Sequence, residues 1–257
     1  MSVHGPAVIF VHGFLDSGTI WSPVMDTLDE AFVSQCTTTD LAGIGMAWAA
    51  EGPFTLPRYA EDIAALIDRV KGPVVLVGHS MGAQIVELAA ARRPQRVAGL
   101  FLLSPVPLGG AKAPPAVTDP LAATGGDIKA QREVRRQLMG QPPDPGVLEF
   151  LTGLGGKVKR EVTEALVKAW NEGLPEGRSP SAFQSPVLVA TGDEDTYATI
   201  AMATEIAARF RGCSRTTVKG AGHWPQAERP ESVAKIISDF IASVPEGVHH
   251  NLPTRRS

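Results

Sequence analysis

One stretch of this sequence limits the possible folds more than any other. Residues 74–77 (Val-Val-Leu-Val) are apolar and favour a strand, and they run directly into residues 78–82 (Gly-His-Ser-Met-Gly). The following residues, 84–91, are mostly good helix formers. A strand, a sharp turn and a helix are therefore predicted in succession, with Ser80 at the turn. The two glycines suit such a turn, because a serine in a strained backbone conformation needs neighbours without side-chain bulk.

The rest of the chain alternates short apolar runs with stretches that favour helices. Such alternation predicts a parallel sheet that is covered by helices on both faces. The tail beyond Pro245 is expected to fray. Strands are expected at residues 6–11, 32–39, 74–77, 97–103, 186–191 and 215–218, and helices at residues 22–30, 58–70, 84–91, 198–210 and 231–244.

Residues that carry functional groups or permit sharp turns cluster where the predicted strands end. His12 and Gly13 follow the first strand and Asp40 follows the second. Ser80 and Ser104 follow the third and fourth. In parallel α/β sheets, ligands bind outside the carboxyl ends of the strands. The sequence therefore predicts a site at this edge of the sheet.

Residues 106–184 interrupt the alternation. They are rich in proline and glycine and contain no convincing strand. We interpret this segment as a helical cap over the strand ends, inserted between the core regions 1–105 and 185–257; a merely decorative insertion is the alternative. Helices within it are expected at residues 127–139, 146–154 and 157–172.

The composition argues against several classes of protein. A net charge of −3 and an isoelectric point near 6.1 provide no basic surface for nucleic acid or an anionic membrane. No apolar run approaches the roughly 18 residues that span a bilayer, and no signal-peptide pattern precedes the first strand. Cys36 and Cys213 lack metal-ligand spacing. We expect a cytoplasmic protein that acts on a small molecule without metal or cofactor; the sequence does not specify its oligomeric state.

A serine hydroxyl becomes a good nucleophile when a neighbouring base removes its proton and a third group holds that base. His223 is the best candidate for the base, because it stands in a glycine-rich turn after the last predicted strand and can reach across the strand ends towards Ser80. The other histidines lie near the termini or in strand-end motifs, where hydrogen bonding and packing are the expected roles: His4, His249 and His250, then His12 and His79.

Two aspartates in the turn after the preceding strand are candidates for the group that orients the base. Asp195 lies farther into the loop and should reach His223 more easily, whereas Asp193 is expected to stabilise the turn. The order serine, aspartate, histidine along the chain also fits this architecture.

A serine nucleophile also requires two backbone N–H donors for the oxyanion that forms on the carbonyl. The N–H of Met81, directly after Ser80, is one candidate. The other is the N–H of Phe14, in the turn after the first strand, where Gly13 allows the chain to bend. The helix that begins after Ser80 directs its positive end towards the same place.

Together these motifs resemble the α/β-hydrolase fold family, and the resemblance spans nearly the whole chain in the family's order. It implies an α/β fold, a mostly parallel sheet flanked by helices, with a helical cap inserted after the strand that ends near Ser104. It also implies that Ser80, Asp195 and His223 form a catalytic triad and that Phe14 and Met81 form the oxyanion hole. The motifs that carry it are His12-Gly13-Phe14, Asp40 with Gly43 and Gly45, Gly78 to Gly82, Gly192 with Asp195, Gly220 with Gly222 and His223, and Glu228 with Pro230 and Glu231.

Two features depart from the common pattern of that family. Ala42 and Ala47 stand where the loop after the second strand commonly has proline and serine. The hairpin that many relatives place before the first strand is missing. Both features are similar to the compact esterase and hydroxynitrile-lyase branch, which leaves lyase chemistry open.

The resulting hypothesis is a cofactor-independent serine hydrolase that cleaves a carboxylic ester or lactone. A lyase or C–C hydrolase with the same triad is the enzymatic alternative, and a ligand receptor with a vestigial site is the non-enzymatic one. Haloalkane dehalogenases and epoxide hydrolases of this fold are disfavoured, because their nucleophile is aspartate where this chain has Ser80. Four aromatic residues are expected to line an apolar pocket, with plain core packing as the alternative role of each: Trp21, Phe150, Trp170 and Trp224.

Overall fold

A computed structural model of the chain describes residues 5–245, so His4 and the tail that contains His249 and His250 lie outside the described residues. The described residues contain a six-stranded sheet in which all neighbouring strands are parallel. The strands are β1 (Ala7–Val11), β2 (Cys36–Thr39), β3 (Val74–His79), β4 (Val97–Leu103), β5 (Val187–Gly192) and β6 (Ser214–Val218). Their order across the sheet is β2-β1-β3-β4-β5-β6.

Helices cover both faces of the sheet. Short 3₁₀ turns occupy Gly18–Trp21, Gly45–Ala47 and Pro175–Arg178. The α-helices are α1 (Ser22–Met25), α2 (Glu30–Val33), α3 (Leu56–Arg69), α4 (Met81–Arg92), α5 (Pro115–Ala122), α6 (Ile128–Leu138), α7 (Pro145–Leu154), α8 (Arg160–Glu172), α9 (Ile200–Ala208), α10 (Pro225–Glu228) and α11 (Pro230–Ser243).

The strands at the centre of the sheet are apolar on both sides, because alternate side chains enter different hydrophobic layers. Ile9 and Leu76 belong to the cluster that also contains α3 and α4. Phe10 and Val77, one residue further along the same strands, belong to the cluster that contains α11. This arrangement explains why β1, β3 and β4 appear in the sequence as continuous apolar runs.

The direction in which successive strands are added to the sheet changes between β1 and β3. These two strands are adjacent, with Val11 opposite Gly78, but β2 extends the sheet on one side of them and β4 extends it on the other. Ligands bind at such a switch point in open α/β sheets. The loops after β1 and β3 meet there: a Cβ built on Gly13 would lie 3.0 Å from the Cβ of Ser80.

Some predictions of secondary structure are wrong. The strand predicted at residues 32–39 begins only at Cys36, because Asp29 caps α2 by accepting a hydrogen bond from the N–H of Phe32. The helix predicted at residues 22–30 ends at Met25. The prolines of α5 and α10 conceal these helices in the sequence. Pro115 and Pro225 stand in the first turn, where a proline is compatible with a helix, and α5 also contains Pro120 in its interior.

The segment 106–184 contains α5 to α8 and, as described, no strand. Its helices agree with those expected from the sequence at residues 127–139, 146–154 and 157–172 to within three residues at each end. The division of the chain into a core and a cap stays a prediction. Among residues 5–245, no helix combines the length and the apolar character that crossing a membrane requires.

Candidate active site

Ser80 occupies the sharp turn between β3 and α4 in a backbone conformation that side chains rarely adopt, with φ 53° and ψ −118°. The turn depends on close backbone approach at both glycines. A Cβ on Gly78 would lie 2.5 Å from the carbonyl oxygen of Gly82, and a Cβ on Gly82 would lie 2.5 Å from that of Val11. The predicted strand, turn and helix around this serine are therefore present, and only glycine fits beside it.

Three side chains from three different loops form a continuous line. His223 Nε2 lies 3.0 Å from Ser80 Oγ, and His223 Nδ1 lies 2.9 Å from Asp195 Oδ2. The second carboxylate oxygen, Oδ1, accepts hydrogen bonds from the N–H groups of Tyr197 and Ala198 at 2.9 and 2.8 Å. All three side chains are buried. The structure thus brings together the serine, histidine and aspartate predicted from the sequence.

Asp193 has a different environment. Its Oδ1 accepts a hydrogen bond from the N–H of Gly220 at 2.7 Å, and this residue is exposed. It therefore links the turns after β5 and β6, which is the role that the sequence suggested for it.

The charges of this line raise the pKa of His223 and lower the pKa of Asp195. Burial by itself lowers the pKa of His223, but the charge of Asp195 and the hydrogen bond to it outweigh burial, so the net pKa is raised. Burial raises the pKa of Asp195, but His223 and the two backbone N–H donors outweigh it, and the net pKa is lowered. The carboxylate is thus suited to stabilise an imidazolium during proton transfer.

The two predicted backbone donors lie next to the serine. Met81 begins α4, where the first N–H groups of a helix have no acceptor inside the helix. Phe14 follows Gly13, which is in close contact with Ser80. Neither N–H donates to a protein acceptor among residues 5–245. Their role as oxyanion donors stays a prediction.

A narrow cavity opens onto Ser80 and His223. Its volume is about 40 Å³. Its walls are almost entirely apolar and come from the loops after β1, β4, β5 and β6 and from helices α5, α6 and α8. They comprise Phe14, Leu15, Val106, Leu121, Val134, Leu138, Trp170, Tyr197 and Trp224.

Two of the four aromatic residues expected in the pocket are placed elsewhere. Trp170 and Trp224 line the cavity. Trp21 is fully buried and packs against Phe10, with ring centroids 5.0 Å apart. Phe150 packs against the same hydrophobic cluster from α7. Neither Trp21 nor Phe150 is among the residues that line this cavity, so their place in a substrate pocket stays a prediction.

Sequence reasoning missed the contacts that Tyr197 and Leu138 make with His223. The ring of Tyr197 stands edge-on to the ring of His223 at 5.5 Å. The His223 N–H donates to the carbonyl of Leu138 at 2.8 Å, and its own carbonyl accepts from His79 Nε2 at 2.7 Å. For Tyr197 the sequence offers one local signal, because it lies two residues after Asp195. Leu138 is far from His223 in the chain, so no local pattern indicates that contact.

His12 and His79 have hydrogen-bonding roles, as the sequence suggested. His12 Nε2 accepts from the N–H of Leu41 at 3.0 Å. Within residues 5–245, no three histidine, cysteine or acidic side chains come together as they would in a metal site.

Known proteins share this fold. Residues 8–236 match the model of a family described as "Alpha/beta hydrolase family". The match spans most of the chain, so the protein belongs to the α/β-hydrolase family, and the predicted family and fold class are confirmed.

Named relatives in this family include hydrolases with different substrates. The chain is 34% identical over 198 residues to lipase LipV of Mycobacterium tuberculosis, and the match covers 74% of this chain and 67% of that protein. It is 26% identical over 247 residues to the 2-(acetamidomethylene)succinate hydrolase of Mesorhizobium japonicum, and this match covers 92% of this chain and 88% of that protein. The solved structure of an enol-lactonase from Burkholderia xenovorans LB400 has a TM-score of 0.79 at 21% identity, over 93% of this chain and 92% of that one, which shows the shared fold.

Proposed function

We propose that this protein is a serine hydrolase that cleaves a carboxylic ester or lactone through an acyl-enzyme. The observation that carries the proposal is the hydrogen-bonded line from Ser80 through His223 to Asp195, hereafter the proposed triad, beside two available N–H groups. The names of the relatives support hydrolysis, and LipV is named a lipase.

In the first half-reaction, Ser80 Oγ attacks the carbonyl carbon while His223 Nε2 accepts the hydroxyl proton, which their 3.0 Å separation permits. The carbonyl oxygen becomes an oxyanion and accepts hydrogen bonds from the N–H groups of Phe14 and Met81. Each such donor contributes roughly 3–4 kcal/mol to transition-state stabilisation. When the tetrahedral intermediate collapses, the C–O bond breaks and His223 Nε2–H gives its proton to the leaving alkoxide.

In the second half-reaction, water takes the place of the alcohol. His223 removes one proton from the water as its oxygen attacks the acyl carbon, and the same two N–H groups stabilise the oxyanion. Collapse releases the carboxylic acid, and Ser80 Oγ regains its proton from the imidazolium. Asp195, 2.9 Å from Nδ1, keeps the imidazole in the tautomer that both steps need.

The cavity supports a small or slender, neutral and mostly apolar substrate. The space near Ser80 is narrow, and it is lined chiefly by aliphatic and aromatic side chains. Helices α6 and α8 supply Val134, Leu138 and Trp170 to its walls. These contributions support the interpretation of residues 106–184 as a cap.

The proposal also includes a cytoplasmic location.

The test is multiple-turnover release of p-nitrophenol from acetate, butyrate and hexanoate esters, with Ser80→Ala as the matched variant. We expect turnover by the wild type and its loss in a folded Ser80→Ala protein. Fluorophosphonate labelling at Ser80 without ester turnover would indicate a competent nucleophile with a different substrate, including the lyase or C–C hydrolase alternatives. A folded wild type that neither turns over nor labels would refute the proposal and favour a ligand receptor.

A further inference from the structure

A second buried polar cluster lies beside the proposed triad and takes no part in the steps above. Its centre is the carboxylate of Asp16, in the loop that follows β1, and this side chain is fully buried. Arg135 Nη1 lies 2.9 Å from Oδ1, Trp224 Nε1 lies 3.2 Å from both oxygens, and His79 Nδ1 lies 3.4 Å from Oδ2. The carboxylate therefore has a partner from each of three different segments.

Arg135 belongs to α6, within the segment predicted as a cap, and it is itself fully buried. Besides its bond to Asp16, it donates through Nη2 to the carbonyl of Leu15. Its Cζ also lies 5.3 Å from the centre of the Trp224 ring. One guanidinium thus holds a carboxylate, a backbone carbonyl and an aromatic face, and its planar fork of N–H groups is suited to this task.

The contact to Leu15 bears on the proposed oxyanion hole. Leu15 has φ 62°, a left-handed conformation that costs a residue with a Cβ about 1–2 kcal/mol. It directly follows Phe14, whose N–H is one of the two proposed donors. Because Arg135 holds the Leu15 carbonyl and the adjacent Asp16 carboxylate, it fixes the direction of the backbone that presents this N–H.

The other contacts bear on the base. Trp224 directly follows His223 in the chain and donates to Asp16. His79, which also faces Asp16, donates through Nε2 to the His223 carbonyl at 2.7 Å. The helix that carries Arg135 accepts the His223 N–H through Leu138 at 2.8 Å. The backbone on both sides of the histidine is therefore tied to this cluster or to its helix.

From this geometry we propose that Arg135 is a positioning residue for the reaction, which rests on the proposed function. It touches no reacting atom; it acts through Asp16, Leu15 and Trp224 to hold the Phe14 N–H and His223 in place relative to Ser80. Stability alone is a weak explanation for the cluster, because a buried ion pair contributes little net stability compared with apolar residues of similar volume. Two of the residues that Arg135 contacts, Leu15 and Trp224, line the cavity beside Ser80.

The test compares Arg135→Met and Arg135→Lys with the wild type in kcat and KM for a p-nitrophenyl ester, per site titrated with a fluorophosphonate. Arg135→Met should lower kcat about 10- to 100-fold and leave KM within about threefold, because misplacement of a catalytic group acts mainly on the chemical step. Arg135→Lys keeps a charge near Asp16 but lacks the fork for Leu15, so it should recover part of the loss. Arg132→Met, on the exposed side of α6, is the matched control and should leave both parameters unchanged.

Circular dichroism identifies variants that fail to fold, and if Arg135→Met is one of them, Arg135→Lys decides. A folded Arg135 variant with wild-type kcat per titrated site would overturn this inference while leaving the proposed function intact. The same conclusion holds if activity and titrated sites fall in parallel, since that result indicates a purely structural role. A wild type that neither labels nor turns over overturns the proposed function and this inference with it.

Discussion

Asp195→Asn is the substitution whose effect the structure defines most closely. Asp195 Oδ1 accepts two backbone hydrogen bonds, at 2.9 and 2.8 Å, and Oδ2 faces His223 Nδ1 at 2.9 Å. In the variant, the amide oxygen is expected at the Oδ1 position, because only an acceptor satisfies the two N–H groups. The amide nitrogen then faces Nδ1 and donates to it, which places the imidazole proton on Nε2. A protonated Nε2 is unable to accept the proton of Ser80.

The expected cost follows from that change of tautomer. Loss of the acceptor nitrogen at neutral pH should lower kcat about 10⁴-fold, or about 5 kcal/mol, with the backbone conformation preserved. Hydrolysis of p-nitrophenyl acetate, followed by p-nitrophenol release at saturating substrate, measures kcat directly. Circular dichroism should give the same spectrum for wild type and variant.

Asp193→Asn is the matched control, because it makes the same chemical change two residues away in the same turn. Asp193 accepts a single hydrogen bond, from the N–H of Gly220 at 2.7 Å, and the amide oxygen of asparagine can accept it equally well. Its kcat should stay within a few-fold of the wild type. A larger loss in Asp193→Asn than in Asp195→Asn would refute the reasoning and exchange the two roles.

Three further predictions follow from the surroundings of the site. The profile of kcat/KM against pH should fall on the acid side with a midpoint above the ordinary histidine pKa of 6.5, because the pKa of His223 is raised and only the neutral imidazole accepts a proton. Asp16→Asn removes one of the charges that raise this pKa and should move the midpoint to lower pH. Gly82→Ala places a Cβ 2.5 Å from the carbonyl oxygen of Val11 in β1 and should lower the free energy of unfolding by about 1–3 kcal/mol. Gly153→Ala in α7 places its Cβ in open space and should raise the free energy of unfolding by about 0.5–1 kcal/mol. Urea denaturation midpoints measure both changes. Val134→Ala widens the narrow cavity and should raise kcat/KM for the hexanoate ester relative to the acetate; an unchanged ratio would show that this wall does not limit chain length.

The parts of the site that the sequence predicts correctly are local in the chain. Ser80 stands in a five-residue motif whose glycines are required by contacts of 2.5 Å, and the apolar run before it and the helix formers after it together indicate the turn. Asp195 and Asp193 are distinguished by how far each lies into one turn. The alternation of strands and helices in turn predicts the parallel sheet that places these turns at one edge.

The parts that the sequence does not predict depend on side-chain direction and on distant pairs. Trp21 is buried in a hydrophobic cluster and Phe150 packs, partly buried, against the same cluster, and neither lines the cavity. Asp16 and Arg135 are 119 residues apart, and no periodicity or motif relates them. Arg135 in particular resembles the exposed basic residues around it on α6, since only its burial distinguishes it.

The most direct test of the central claim is to observe the acyl-enzyme on Ser80. The protein is mixed with excess p-nitrophenyl butyrate, quenched in acid during the first turnovers, digested and analysed by mass spectrometry. We expect a mass gain of one butyryl group on the peptide that contains Ser80. This mass gain should disappear as substrate is exhausted and should be absent in Ser80→Ala. Sustained turnover with the butyryl group on another residue, or undiminished turnover in Ser80→Ala, would contradict it.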